Sequence, residues 1–313
     1  MQKTSHEWSK DAFFSKAQLY AEAMGEHEDS NWQFGLWSAF TLELLIRALV
    51  ANTSPALIAD IQDWNNVLYG LGFEPKKQKF VAKSAAITEL VARAEDLCTE
   101  FTREHANFCA SHFARRNSEV HTGNLSFENL GSSSWLPTFY WVCSVVVSSI
   151  GESLESLFGA ETAKRAQEEI TALHDETAKA VKGTINAHRI VWEQKSVADK
   201  NTAKNQAETT ALRHYGHRIS CPVCGSIALL QGKPAGAAKR NVGEDDIVER
   251  QVMKPEAFHC VACGIKIAGY SKLLATGLGD TFISTSHYDP LEYFEIDLDA
   301  HARSMMEDDN NEY

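Results

Sequence analysis

The chain has 313 residues, of which 44% are hydrophobic and 23% are charged, and its formal net charge is −12 at pH 7. This is the composition of a globular protein, and it excludes wholesale disorder and fibrous architectures. The length suits one large domain or two smaller ones, with enough residues to bury a hydrophobic core. The first residues contain no apolar signal core, and the longest near-apolar stretch, 135–150, is too short to cross a membrane. We therefore expect a soluble, cytoplasmic protein without membrane contact.

The first two-thirds of the chain is predicted to be helical. Between Ser30, which can serve as an N-cap, and Leu49, apolar residues recur with a period close to that of an α-helix. Ser54 and Pro55 then predict a short helix with proline at its first position. A loop containing glycine and proline follows at 70–75.

Further helical segments follow along the chain. The stretch 84–121 contains neither glycine nor proline, and Gly123 stands where a helix C-cap is expected. A proline at the start of 137–150 opens another apolar helix. Residues 160–212 are rich in alanine, glutamate, lysine and glutamine, and Gly183 is the only glycine or proline among them. They predict one or two long amphipathic helices.

The composition changes near Tyr215. From there onward glycine, proline and β-branched residues become frequent, so we place a domain boundary at this point. Charge is also uneven, because 288–313 carries nine acidic residues and one arginine, whereas 195–240 carries eight basic residues and two acidic ones. The basic segment suits nucleic-acid phosphates, although such a run is more often a solvated face.

Four of the seven cysteines form two C-x-x-C pairs, and a glycine follows each pair. The pairs are Cys221 with Cys224 and Cys260 with Cys263. Four thiolates suit a tetrahedral Zn²⁺ that is closed to water and therefore structural. The alternatives are a redox dithiol, a chance clustering of the cysteines and a rubredoxin-like iron site. The pattern resembles a zinc ribbon over 217–270, a fold too small to be stable without its metal.

The chain therefore divides into a mainly α part and a small β part. The domain limits are expected at 1–155 for a helical bundle, 156–215 for a long helical extension, 216–285 for the zinc ribbon and 286–313 for an acidic C-terminal tail.

A second motif, Arg-Asn-x-x-x-His, lies at Arg116, Asn117 and His121. An arginine followed by asparagine and by histidine at this fixed spacing is expected by chance only about 0.02 times in a chain of this composition. On a helix Asn117 and His121 share a face, but Arg116 lies about 140° away from His121. One chain can therefore present Arg116 and His121 to the same phosphate only if the helix end unwinds near Gly123. Otherwise a second chain must supply one of the two residues.

This motif resembles the R-x(4–6)-H signature of the HEPN superfamily, small all-α domains that are often ribonucleases. The resemblance covers about 30–155, and the segment 42–49 is similar to the family's early core helix. Family domains usually pair so that motif residues of two chains line one cleft, which implies a homodimer.

The resemblance implies a metal-independent endoribonuclease that leaves 2′,3′-cyclic phosphate ends on RNA. Arg116 would bind phosphate, Asn117 would position phosphate or ribose, and His121 would act as general acid or base. Such nucleases are typically toxins or phage-defence effectors, so an antitoxin or regulatory protein is an implied partner. The alternative is a non-catalytic HEPN-fold adaptor that binds nucleic acid or protein through its zinc ribbon.

Other residues are expected to support the motif. Arg115 matches the signature at its next spacing, and Glu119 can pair with Arg115 one helical turn away. Glu43 can form an i,i+4 ion pair with Arg47 of the same apolar helix. Glu43 either orients the motif arginine or only satisfies the partly buried charge of Arg47. His112 shares a helix face with His105, and both either line the cleft or lie in solvent or at the core edge.

Overall fold

The computed structural model describes residues 7–128, 130–243 and 245–294. The chain divides into two compact units between residues 177 and 178. The protein is 56% helical and also contains an antiparallel sheet, which confirms the expected mainly α class. The HEPN-like identity of the bundle remains a prediction.

The first unit is a bundle of α-helices. These are α1 (Lys10–Gly25), α2 (Trp32–Thr53), α3 (Trp64–Gly70), α4 (Ile87–Leu97), α5 (Arg103–His121), α6 (Leu136–Ser149), α7 (Leu154–Phe158) and the start of α8 (Ala160–Glu193). Two 3-10 turns, Pro55–Ile58 and Ser132–Ser134, lie between them. The first of these turns confirms the short helix predicted at Ser54 and Pro55.

Helix α2 is the centre of this unit. It packs along α1 and also contacts α4, α5 and α6. It is the one described helix that is long and apolar enough to cross a membrane, but 72% of its most apolar window is buried inside the protein. That burial is typical of the core helix of a soluble protein. The cytoplasmic location stays a prediction.

Three helix ends differ from expectation. The N-cap of α2 is Asn31, whose side-chain oxygen accepts a hydrogen bond from Gln33 N at 2.9 Å, and not Ser30. The stretch 84–121 is two helices, because the chain leaves the helical path after Leu97 and restarts beyond Thr102. Serine and asparagine are both good N-caps, so composition alone does not choose between Ser30 and Asn31.

The end of α5 is capped by Thr122 and not by Gly123. Thr122 has an extended backbone, and its N–H and its hydroxyl both donate to the Ser118 carbonyl, at 3.0 and 2.7 Å. The Thr122 hydroxyl thus gives the Ser118 carbonyl a side-chain hydrogen bond, which a glycine at the cap position could not donate.

The second unit joins the end of α8 to a second helix and a six-stranded sheet. Helix α8 continues through Gly183 and ends at Glu193, so 160–212 contains two helices. The remaining elements are α9 (Val197–Arg213), β1 (His217–Ser220), β2 (Ile227–Pro234), β3 (Lys239–Val242), β4 (Ile247–His259), β5 (Lys266–Ala268), α10 (Tyr270–Leu274), β6 (Phe282–Tyr288) and α11 (Pro290–Tyr293).

Strand β4 organises the sheet. Its last residues, 257–259, pair with β2 on one side and β5 on the other, and its first residues, 247–250, pair with both β3 and β6. Strand β1 extends the sheet beyond β2. The sheet runs to Tyr288, three residues past the expected end of the ribbon, and the rest of the expected acidic tail from 295 lies outside the described residues.

Candidate functional site

The two C-x-x-C pairs form equivalent knuckles. In the first, Gly225 N donates to the Cys221 carbonyl at 2.9 Å, and in the second, Gly264 N donates to the Cys260 carbonyl at the same distance. Both glycines have positive φ, 68° and 77°, a conformation that L side chains rarely adopt. The glycine after each pair therefore permits the tight turn that directs two thiols to one side.

The knuckles bring four thiol groups together. The Sγ atoms of Cys221, Cys224, Cys260 and Cys263 all lie within 4.8 Å of one another. Contacts between the knuckles measure 3.7 Å for Cys221 to Cys263 and 3.6 Å for Cys224 to Cys260. Tetrahedral coordination with metal–sulfur bonds of about 2.3 Å places sulfurs about 3.8 Å apart. The cluster therefore fits one metal ion, and all four cysteines are free of disulfides.

Mutual hydrogen bonding separates the pKa values of these thiols. Donation from Cys260 and Cys263 lowers the pKa of Cys221 to about 2, and sharing with Cys221 raises the pKa of Cys260 to about 12. Hydrogen bonds from neighbouring thiols therefore favour the thiolate form of Cys221, whereas Cys260 favours its protonated form. Binding a cation to all four sulfurs must therefore release protons.

Side chains from α8 and the following turn hold the backbone of both knuckles. His188 Nδ1 donates to the Cys263 carbonyl at 3.1 Å, Arg189 Nη2 to the Pro222 carbonyl at 3.2 Å, and Lys195 Nζ to the Ala262 carbonyl at 3.4 Å. These three contacts were not predicted from the sequence, because the residues lie far from the cysteines along the chain.

The basic segment 195–240 is only partly available to a ligand. Lys195 and Lys200 donate to backbone carbonyls, and Arg240 forms an ion pair with Glu249 at 2.6 Å. The exposed basic residues of the segment include Lys204, Arg213, Arg218 and Lys239.

In the first unit, Arg116 lies in an ion-pair network with helix α2. Its Nη2 is 2.6 Å from Glu43 Oε2, and the other oxygen of Glu43 is 2.7 Å from Arg47 Nη1. All three side chains are 15–17% exposed. One carboxylate thus contacts two guanidinium groups. Glu43 was predicted either to orient the motif arginine or only to satisfy the charge of Arg47, and the structure shows it in contact with both arginines. Arg116 Nε is buried without a hydrogen-bond partner among the described residues.

Asn117 and His121 are exposed on the last turns of α5. The helix is regular to His121, because Thr122 N still donates to Ser118 O at 3.0 Å. The helix end is therefore not unwound here, and Arg116 and His121 keep their separation around the axis.

His112 is fully buried and does not reach solvent. Ser38 Oγ, which donates to the Gly35 carbonyl, lies 2.8 Å from His112 Nε2. Burial, aided by the charge of Arg115, lowers the pKa of His112 to about 3. The histidine is therefore a neutral core residue at physiological pH, and it does not line a cleft. Its ring contacts are Phe108, Phe127, Trp135 and Phe139.

The remaining predicted residues have structural contacts. Glu119 Oε2 accepts a hydrogen bond from Phe127 N at 3.2 Å, so its observed partner is a backbone amide and not Arg115. His105 is buried, and its Nδ1 accepts a hydrogen bond from Thr102 N at 2.9 Å at the start of α5. Arg115 is half-buried.

An open cleft of about 550 Å³ lies beside Arg116 in the first unit. We call it the Arg116 cleft, and its polar and aromatic lining includes Lys16, Tyr20, Phe40, Glu43, Arg47 and Arg116. The sequence analysis singled out three of these six residues, Glu43, Arg47 and Arg116. The helical spacing of Lys16 with Tyr20, and of Phe40 with Glu43, was the available signal for the rest.

Comparisons of the chain with protein-family models, with curated proteins and with solved structures found no match.

Proposed function

We propose that the protein is a metal-independent endoribonuclease of HEPN type, with Arg116, Asn117 and His121 as its reacting groups. The observation that carries the proposal is the position of Arg116, which Glu43 holds at the edge of a cleft while Asn117 and His121 remain exposed on the same helix. A partly desolvated arginine with an unused buried N–H is costly to retain for stability alone.

These groups supply what metal-free RNA cleavage requires. The 2′-hydroxyl of ribose attacks the adjacent phosphorus and loses its proton, and the 5′-oxygen of the next nucleotide leaves and gains one. Imidazole can transfer either proton near neutral pH. A guanidinium binds the phosphate oxygens as negative charge accumulates on them. The products are a 2′,3′-cyclic phosphate and a free 5′-hydroxyl.

The regular end of α5 favours a site shared by two chains. Because the helix does not unwind before His121, Arg116 and His121 of one chain point in different directions. In a two-fold dimer, the arginine of one chain and the histidine of its partner can face one phosphate. The protein is therefore proposed to act as a homodimer.

The proposed metal is zinc, in a structural role. Four thiolates occupy every position of a tetrahedral ion and leave none for water, so the cluster suits folding rather than catalysis. Zinc ligation would fix the two knuckles and the α8 side chains that hold them.

The proposal includes a biological role as a toxin or phage-defence effector in the cytoplasm, controlled by an antitoxin or another regulatory protein. Induction of the wild type in bacteria is expected to arrest growth, and induction of His121→Ala is not. Arrest by both proteins would contradict this role.

Cleavage of total RNA by the purified protein, with EDTA present, tests the activity. His121→Ala and Arg116→Ala are each expected to lower the rate by about 100-fold or more, because general acid–base and electrostatic contributions are of that size. His27→Ala, which changes a histidine of the first unit outside the motif, is the matched control. Thermal unfolding of each variant checks that the fold is retained.

The chemical nature of the ends completes this test. Cyclic-phosphate ends that depend on His121 support the nuclease. A wild-type protein that is free of inhibitors and inactive on every RNA overturns it and favours the non-catalytic adaptor.

A further inference from the structure

The Arg116 cleft contains aromatic rings that are not part of the closed core. Tyr20 and Phe40 line the cleft, are half-buried, and lie 6.1 Å apart between ring centroids. The Trp37 ring packs against both of them, with centroid distances of 5.3 Å to Tyr20 and 5.9 Å to Phe40. The cleft therefore holds a supported pair of rings with open space beside them.

Tyr20 and Phe40 each have a cation next to the ring. Lys16 Nζ lies 5.6 Å from the centre of the Tyr20 ring, and the Arg116 guanidinium lies 5.6 Å from the centre of the Phe40 ring. Aromatic surfaces alternating with positive charge are the combination that binds single-stranded nucleic acid, because bases stack on the rings and phosphates contact the cations.

The charge balance and the size of the cleft agree with such a ligand. Three basic side chains line it against two acidic ones, and one of these, Glu43, is already neutralised by Arg47 and Arg116. A volume of about 550 Å³ lies in the range of small-molecule pockets, about 300–1,000 Å³. A base inside a duplex is covered on both faces by its neighbours and cannot stack on these rings.

We propose that the Arg116 cleft binds one unpaired nucleotide of the RNA substrate, with its base against Tyr20 and Phe40 and its phosphate between Lys16 and Arg116. This inference rests on the proposed ribonuclease function and narrows its substrate to RNA that is single-stranded at this nucleotide. Tyr20, Phe40 and Lys16 are binding residues in this scheme, and the reaction is carried out by the motif.

Binding is tested with the full chain carrying His121→Ala, so that RNA is bound without being cleaved. The probe is a fluorescent single-stranded RNA oligonucleotide, compared with a duplex of the same sequence by anisotropy. Tyr20→Leu is expected to weaken single-strand binding by about 10-fold or more, the effect of losing one stacking contact. Tyr20→Phe keeps the ring and is expected to stay within about 2-fold of the parent. Phe73→Leu, which changes an aromatic residue exposed elsewhere on the first unit, is the matched control.

Lys16→Gln gives a second readout that does not depend on core packing, because Lys16 is exposed. It is expected to weaken binding and to lower the slope of log affinity against log salt by about 0.7, the value for one lost phosphate contact on a single strand. Lys76→Gln, at another exposed lysine of the unit, is the control. Equal affinity of Tyr20→Leu and Phe73→Leu, or equal binding of duplex and single strand, overturns the proposal.

Failure of the subsite and failure of the nuclease give different results. Cleavage that depends on His121 but is unchanged by Tyr20→Leu overturns the subsite alone. Binding of single strands that depends on Tyr20, in a protein that cleaves no RNA, supports the cleft as a nucleotide site and overturns the nuclease.

Discussion

Single residues in the first unit show how its polar groups are kept buried. Glu43 accepts contacts from two arginines, so neither guanidinium is left without a counter-charge at 15% exposure. His112 is kept neutral and contacts Ser38, because an imidazolium among four aromatic rings would be desolvated without compensation. Burial thus assigns different roles to residues that lie four positions apart on one helix: Arg116 reaches a cleft, whereas His112 belongs to the core.

The buried His112 predicts a specific loss of stability in acid. Its pKa is about 3 in the folded chain and near 6.5 in the unfolded one, so between these values only the unfolded state binds the proton. The free energy of unfolding is therefore expected to fall as pH decreases through this window, by up to about 1.4 kcal/mol per pH unit. Above pH 6.5 the imidazole is neutral in both states, so His112 causes no loss of stability there. Urea unfolding from pH 7 to 4.5 measures it, and six of the seven tryptophans lie in the first unit and report its unfolding.

A non-titrating variant isolates this histidine from the others. His112→Phe combined with Ser38→Ala replaces both partners of the polar contact with apolar groups, a change that can be close to neutral for stability. This double variant is expected to show a shallower pH dependence than the wild type. His27→Gln is the control and is expected to keep the wild-type slope. If the double variant and the wild type have parallel pH profiles, His112 does not titrate as described.

Elements of the second unit depend on groups far apart in the sequence. The knuckles lie before β2 and after β4, and side chains of the α8 end and the turn after it donate to both. The apolar cluster around them contains Trp192 together with Cys221 and Cys260. A small sheet with a core of this size is expected to need an ion at the four cysteines to fix the ends of its strands.

Removal of the metal is therefore expected to unfold the ribbon and leave the helical unit folded. Native protein should contain one zinc per chain by elemental analysis. A strong chelator should expose four thiols to a thiol reagent, because Cys98, Cys109 and Cys143 are buried in the first unit. Burial also raises the pKa of Cys109 and of Cys143, which suppresses their reactivity.

Cys221→Ser provides the comparison without a chelator. It is expected to lose the zinc and to shift the tryptophan signal of Trp192, while the thermal transition of the first unit is retained. Iron and its visible absorption in the native protein would contradict zinc. Four thiols that react before chelation would contradict a bound metal of any kind.

Prediction from sequence succeeded where the signal is local. The C-x-x-C-G pattern and the helical period of α2 each lie within a few turns of chain, so their residue spacing determines the geometry. The break in 84–121 escaped detection because it contains no glycine or proline. There the chain leaves the helix at Cys98, and Thr102 N is satisfied by the imidazole of His105 instead of the more usual glutamate.

The candidate site was predictable only in part for the same reason. Arg116 was identifiable from its neighbours Asn117 and His121, but its contact with Glu43 joins residues 73 positions apart, and only packing of α5 against α2 creates it. The burial of His112 likewise depends on Phe139 of α6 and on Phe127 and Trp135 in the segment before it. Tertiary contacts of this kind leave no periodic trace in a single sequence.

At the scale of the whole molecule, the decisive question is whether one reacting site draws on two chains. A regular helix directs Arg116 and His121 about 140° apart, so the proposed chemistry within one chain would require α5 to distort at its end. A two-fold dimer avoids that distortion and produces two equivalent sites. In such a dimer each site uses Arg116 from one protomer and His121 from its partner.

Subunit mixing distinguishes these arrangements. Arg116→Ala and His121→Ala are each expected to be inactive alone, but a heterodimer of the two has one site in which both residues are intact. With equal amounts and full exchange, half of the dimers are mixed and each has one working site of two, so about one quarter of wild-type activity should return. Mixing Arg116→Ala with the Arg116→Ala/His121→Ala double variant restores no site in any arrangement and is the control. Mixtures that exchange subunits and stay inactive would place the reacting arginine and histidine on the same chain.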